Sequence, residues 1–325
     1  MNVSQNFKIA TIIFLITTLF SFKSAIACTH NHFDYFDCDL CGCTTSSGSS
    51  GFGTLGNVSF VGLRYIYQNF ESRNGVFSNS PLSEEQFNTY QLWGKIPVND
   101  NIYINAIVPY QDLYRKTNQA TEHINGLGDV TVMGWYQFQF FKKKTDDDVQ
   151  FNTDKEASNH KLNVGLGLKL PTGEFEEQFA DRINPGFQVG TGSLDAIISL
   201  MHIYTKDRFG VNTTVSYYFK NENKNDYRFG NQLSYASNVF YNVPFKQSAL
   251  NPFIGLSADV YDAIEQFNET LPDTDGHIIN GTFGTEFMID KFVMGANYTF
   301  PISQDLFGDN VKAQNRFSVF VNYVL

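Results

Sequence analysis

Between Lys161 and Gly173 the chain reads KLNVGLGLKLPTG, and its apolar positions fall on alternate residues. Leu162, Val164, Leu166, Leu168 and Leu170 share one parity, and Lys161, Asn163, Gly165, Gly167 and Lys169 share the other. A pleated strand sends successive side chains to opposite faces, so this segment has one oily face and one small, polar or charged face. Pro171-Thr172-Gly173 reads as a strand end and turn. The same period recurs from Asn57 onward. Apolar parities mark strands near 61–67, 90–96, 102–108, 130–140, 162–170, 194–204, 209–219, 233–243, 254–260, 279–289, 292–300 and 317–325. The strand at 194–204 is the least tidy, because Ile197, Met201 and Ile203 lie opposite Leu194, Ala196, Ile198 and Leu200. No helical period of useful length interrupts the pattern.

About twelve strands is an even number within the bacterial outer-membrane range. Their connections mostly alternate in length. Short ones fall at 98–101, 205–208, 244–250 and 290–291, and longer ones at 71–86, 116–126, 174–191, 264–277 and 301–312. Short periplasmic turns and long outer loops are the asymmetry of a transmembrane barrel. Residues 142–160 and 221–227 break it, the first long where a turn is due and the second short where a loop is due. The expected fold is therefore all-β: a closed antiparallel transmembrane β-barrel of about 12 strands, of the bacterial outer-membrane type. Closure also removes the sticky edges that so many aromatic strands would leave in an open sheet.

Composition supports that choice over a soluble sandwich. Charged residues make up 17% of the chain and aromatic residues 16%, with 32 Phe and 17 Tyr, as suits ring girdles at two interfaces. Mean hydropathy is −0.24, too low for a bundle of membrane helices. A net charge of −10 argues against a nucleic-acid partner. Much of the acid sits in connections such as Glu174 to Glu177 and Glu265 to Asp275. Solvated loops account for it, with divalent-cation binding near anionic lipid as the sharper alternative.

The N-terminus reads as a removed secretory signal over residues 1–27. Lys8 precedes the apolar run from Ile9 to Phe22, and Ala25-Ile26-Ala27 supplies small residues before the cut. Cys28 directly after that cut also permits a lipoprotein reading, against which Lys23 counts. The next segment, CTHNHFDYFDCDLCGC, holds all four cysteines. Cys28, His30, His32, Cys38, Cys41 and Cys43 form a candidate zinc or copper site. Disulfides compete with it, since an even number of exported cysteines usually pairs. Residues 44–56 are a Gly/Ser linker, so residues 28–56 form an appendage and residues 57–325 the barrel. The chain closes on Phe320 to Leu325, which looks like the terminal strand signal read by barrel assembly machinery, although such signals usually end in Phe.

Three short stations have a familiar order and spacing: Gly126-Leu127-Gly128-Asp129, Leu170-Pro171-Thr172-Gly173 and Gly190-Thr191-Gly192-Ser193. They resemble the outer-membrane transporter family labelled "MetA-pathway of phenol degradation", over roughly residues 57 to 325. The resemblance implies a small barrel passing hydrophobic or aromatic compounds, and it brings no catalytic or binding residues to carry over. The Cys/His segment lies outside it.

No phosphate-cradling loop and no GxSxG elbow is present. His123, His160 and His277 lie in or beside loops, and His202 shares parity with Leu200, away from Ser199. An enzyme is not expected. Arg64, Lys95, Asp129, Lys169, Asp195, Arg228, Asp259, Glu286 and Arg316 all lie opposite an oily parity. They are the candidate lumen-lining residues, because a lipid-facing Arg or Lys costs about 2–4 kcal/mol at the midplane. A conducting lumen and a core plugged by ion pairs both fit them, and mixed signs in a ring predict little ion selectivity. The functional expectation is a channel or transporter for small molecules, with outer-membrane lipid and the assembly machinery as partners. The alternative is a non-conducting barrel that anchors a periplasmic metal or redox segment.

Overall fold

The computed structural model describes residues 59–73, 82–117, 120–139, 159–179, 182–183 and 186–325. The expected signal peptide, the Cys/His segment and the linker lie outside the described residues. Twelve long strands form the wall: β1 Phe60–Arg73, β2 Leu82–Pro97, β3 Ile102–Lys116, β4 Val130–Gln139, β5 Asn159–Leu170, β6 Asp195–Lys206, β7 Phe209–Phe219, β8 Gln232–Tyr241, β9 Ser248–Tyr261, β10 Gly276–Ile289, β11 Phe292–Leu306 and β12 Val311–Val324. Each pairs antiparallel with its sequence neighbours. β12 returns to β1, from Phe60 opposite Val324 to Ser72 opposite Val311, and the sheet closes. The alternating parities thus become a cylinder without edges.

Two of the turns are as tight as antiparallel strands allow. Asp207-Arg208 joins β6 to β7 and Asp290-Lys291 joins β10 to β11, each with Asp at positive φ (53° and 48°). Asp tolerates that left-handed region better than most residues, and two-residue hairpins need it. These turns share one end of the barrel with the junction where the Leu325 N–H donates to the Ser59 carbonyl. We call that end the inner end. The connections after β1, β3, β5, β7, β9 and β11 lie at the opposite, outer end.

Outward parity is apolar and open. Leu166 is 64% exposed and Ile254 67%, with Leu63, Leu92, Leu200 and Leu256 similarly bare. Inward parity is polar, and Arg64, Gln91, Asn163, Lys169, Asp195, Asn251, Asp259 and Glu286 are all buried. A water-soluble protein inverts this arrangement, so the surroundings of the wall must be hydrocarbon. Outward ring pairs mark both rims: Phe209–Tyr241 at 4.8 Å and Phe292–Tyr323 at 5.5 Å towards the inner end, Tyr217–Phe219 at 4.7 Å towards the outer. Rings of this kind favour the lipid interface.

The structure departs from expectation in the outer connections. Residues 171–194 are not a wholly solvated loop, because Phe187 and Val189 fold into the barrel and are buried. The connection after β9 carries two short strands, Glu265–Gln266 and Glu269–Thr270, and the first pairs with Tyr227–Arg228 from the connection after β7. Alternation of polar residues in such short pieces carries no usable period, so the sequence could not place them.

Candidate functional site: the barrel interior

The interior is layered, and the outermost layer is apolar. Phe70, Phe87, Leu113 and Val311 project inward from the wall, and Phe187, Val189, Tyr227, Phe229, Ile264 and Phe307 reach it from the connections. Phe87 stacks obliquely on Phe70 at 5.1 Å and faces Phe187 at 6.2 Å. Just beside this cluster lies a pocket of about 220 Å³ lined by Phe175, Phe229, Phe267, Tyr227, Asn223 and Thr191, among others.

The three sequence stations meet below the apolar layer. Asp129 accepts hydrogen bonds from the Gly173 and Thr191 amides (3.0 and 2.9 Å) and from the Thr191 hydroxyl (2.7 Å). Thr172 Oγ1 donates to the Gly128 carbonyl at 2.8 Å and accepts from the Val130 amide at 3.0 Å. Gly173 and Gly190 lie backbone to backbone, where a Cβ on Gly173 would stand 2.7 Å from Gly190 Cα. Neither position has room for a side chain. Lys169 Nζ bridges Asp129 at 3.1 Å and Asp195 at 2.8 Å, with Thr191 as a further partner, and Lys220 approaches Asp195 at 3.6 Å. Arg115 pairs with Glu85 at 3.0 Å. Three carboxylates therefore face three cations, in an arrangement where each buried charge has a partner. This network holds the chain that carries Phe187 and Val189 in place.

The inner half is different. Arg64 donates to Gln91 Oε1 and lies over the Trp93 ring at 4.4 Å. Lys95 Nζ stands 3.9 Å above the Tyr103 ring, which stacks on Trp135 at 6.0 Å. Trp135 fits because Gly165 faces it, since a Cβ there would come within 2.8 Å of the indole. Phe60, Trp93, Phe253 and Phe320 complete an aromatic collar. Many polar atoms here have no hydrogen-bond partner among the described residues: Gln91 Nε2, Trp93 Nε1, Trp135 Nε1, Asn297 Nδ2, and both side-chain polar atoms of Asn163 and Asn322. Leaving a polar group dry and unpaired costs about 1–3 kcal/mol, so these groups call for water or a solute.

The candidate residues read from the sequence distribute accordingly. Arg64, Lys95, Asp129, Lys169, Asp195, Asp259 and Glu286 are buried on the inward parity, and Arg316 lies half-buried on the same parity as Ser318 and Phe320. Asp259 accepts from Gln232 and from Ser234. Arg228 is elsewhere. It sits on the short strand Tyr227–Arg228, a third exposed, in an ion pair with Glu265, so it is a loop residue and not a wall residue. The parity rule misplaced it because it lies beyond the end of β7. Sequence reasoning passed over Glu85, Arg115, Lys161 and Lys220, all on the inward parity. Lys161 and Lys220 flank strand ends, and Glu85 and Arg115 lie in strand extensions past the hydrophobic stretch. His202 and Ser199 lie on opposite faces, as the parity rule requires. The His202 ring meets His160 at 3.1 Å and Ser199 bonds to Ser216 at 2.6 Å. Among the described residues no cluster of three or more His, Cys, Asp or Glu could hold a metal. The six Cys and His candidates lie outside them.

Comparison with solved structures places the chain among outer-membrane barrels. It is similar to an outer membrane channel from Pseudomonas putida F1, with a TM-score of 0.60 and 12% identity, over 82% of this chain and 96% of that one. It also aligns with the β domain of the Bordetella autotransporter BrkA, with a TM-score of 0.47 and 9% identity, over 83% and 100%. At 12% identity the first of these likenesses speaks for the fold. No curated protein matches the sequence. The family model described as "Putative MetA-pathway of phenol degradation" matches residues 86–290, a span that contains all three stations, and the chain belongs to that family.

Proposed function

We propose that the protein is a passive outer-membrane channel for small molecules. The observation that carries this reading is the inverted wall combined with a polar interior in which several amide and indole groups have no hydrogen-bond partner among the described residues. A dry plug of apolar side chains or fully matched ion pairs would leave no such groups, because each costs stability. Solvation from within the barrel offsets that cost, and a hydrated interior is what a permeation path requires. The outer apolar layer then acts as the narrow point of the path, since an apolar constriction resists wetting. Export follows from residues 1–27 acting as a cleaved signal peptide, and barrel assembly machinery inserts the product.

Current through planar lipid bilayers tests the reading. The mature protein is expected to give discrete low-conductance steps, and removing residues 28–56 is expected to leave them intact. Protein that inserts yet never conducts would end the channel proposal. Loss of conductance on removing residues 28–56 would shift the activity to the Cys/His segment.

A further inference from the structure

The pocket beside the outer apolar layer is built by three connections that hold one another. In the connection between β7 and β8, the Asn223 side chain accepts hydrogen bonds from the Asn225 and Tyr227 amides at 2.9 and 3.3 Å. It also donates to the Thr191 carbonyl, in the connection between β5 and β6, at 3.0 Å. The connection between β9 and β10 joins them through the pairing of Gln266 with Tyr227. Its Phe267 amide donates to the Asp226 carbonyl at 2.8 Å. Phe175 is seated by Gly192, where a Cβ would stand 2.4 Å from the ring. Backbone and amide bonds therefore preform this space at the outer end, as binding sites for small molecules usually require.

The lining is uncharged although its surroundings are not. Glu176, Lys224, Asp226, Arg228, Glu265 and Glu269 lie in the same connections, yet the walls are Phe175, Tyr227, Phe229 and Phe267 with the amides of Asn225 and Gln266. Four of those charges close on one another, Lys224 on Glu176 at 2.6 Å and Arg228 on Glu265. An ion entering the pocket would lose water without gaining a counter-charge. An uncharged ring would meet aromatic faces and could set one polar group against an amide. Size agrees, since a cavity of about 150 Å³ holds benzene and this pocket offers about 220 Å³. Phe267 supplies a second, independent observation. It is 64% exposed and, with Asn268, stands at positive φ (54° and 61°) in the turn between Glu265–Gln266 and Glu269–Thr270. Asn and Gly take that conformation readily, and a bulky residue seldom does. A large ring held in solvent on an unfavourable backbone does not serve stability, and such strain gathers at ligand sites. We propose that this pocket binds one uncharged, ring-sized molecule, apolar over most of its surface and carrying a single hydrogen-bonding group, with Phe267 as the outer wall. The site would be the first that a solute meets in the channel proposed above, and its role in uptake rests on that reading, although binding itself does not require conduction.

The probe para-fluorobenzyl alcohol fits that description, and its fluorine resonance reads binding to the full mature protein in lipid nanodiscs. Partition into lipid grows in proportion to concentration, whereas occupation of the pocket is expected to saturate and to be reversed by benzyl alcohol. Benzoate, of similar size but charged, is expected to compete about tenfold more weakly. Two variants on the exposed hairpin leave the barrel wall untouched. Phe267→Asn is expected to weaken binding by about tenfold, through loss of one ring from the contact, while the urea midpoint holds or rises because Asn suits the turn. A Phe267 that merely formed the turn would give the stability gain with affinity intact. Gln266→Glu keeps the side chain's shape but charges the lining, and is expected to weaken binding by a similar factor. No saturable shift, competition by benzoate as strong as by benzyl alcohol, or wild-type affinity in either variant overturns the assignment. Conductance separates the two proposals. A conducting protein without saturable binding loses this site and keeps the channel, and a silent bilayer with saturable binding does the reverse.

Discussion

At the scale of single residues, Asp129 carries more structure than any other candidate. Its two carboxylate oxygens take two amides, one hydroxyl and the Lys169 ammonium. Replacing it with Asn keeps the shape but puts an NH₂ where an acceptor is needed, facing either a backbone N–H or a cation. Breaking a buried pair from one side costs about 3–5 kcal/mol, because the remaining charge is stranded. Asp129→Asn is expected to lower the urea midpoint of the barrel folded in lipid vesicles by an amount in that range. The double variant with Lys169→Met is expected to recover part of the loss, since the stranded cation is then gone and the two sites are in contact. Additive losses would show that the two side chains act independently.

At the scale of elements, the connection between β5 and β6 does two jobs. Its ends are tied by Gly173, Thr191 and Ser193, and its middle puts Phe187 and Val189 into the outer apolar layer. Phe187 also lies under the Arg115 guanidinium at 4.5 Å, so its ring closes space at the edge of the charged layer. Phe187→Ala is expected to raise single-channel conductance severalfold while the folded fraction stays unchanged, which paired conductance and gel-mobility measurements would read. An unchanged conductance would place the narrow point in the aromatic collar instead. The ends of this connection were legible in the sequence, because Leu-Pro-Thr-Gly and Gly-Thr-Gly-Ser are turn-forming motifs with local chemistry. Its inward fold was not legible. A Phe and a Val among polar residues look the same whether they face solvent or fill a barrel mouth, and only partners distant in the chain, such as Phe87 and Leu113, decide between the two. The wall was the opposite case. Period two over 10 to 16 residues per strand fixes which face each side chain takes, and it placed Arg64, Lys95, Lys169 and Asp195 inside without any knowledge of the fold. It failed for Arg228, where the strand is two residues long.

At the scale of the whole molecule, everything depends on the seam between the first strand and the last. From Phe60 opposite Val324 to Ser72 opposite Val311, β1 and β12 supply to each other the backbone partners that every other strand finds in its sequence neighbours. Inside a bilayer no water replaces a lost partner, and each unsatisfied backbone group costs several kcal/mol. Removing Phe320 to Leu325 would leave Phe60 to Arg64 facing lipid with open N–H and C=O groups, and would take Phe320 out of the collar against Trp93, where the rings stand 5.9 Å apart. The cut would also strip Phe292 to Gly295 of β11 of their partners, while the pairings from β1–β2 through β10–β11 would remain, so a protein held together by a packed two-layer core would survive it with a modest loss. A closed membrane cylinder would not, because the opened edges of β1 and β11 face hydrocarbon and cannot splay into solvent. The truncated protein is therefore expected to lose the heat-modifiable gel band that marks a folded barrel and to disappear from the outer-membrane fraction. Phe320→Ala alone, which keeps the backbone seam and removes only the ring, is expected to retain both. If the truncated chain still folds and still partitions into membrane, closure at this seam is not what stabilises the barrel, and the account of its interior as a sealed path fails with it.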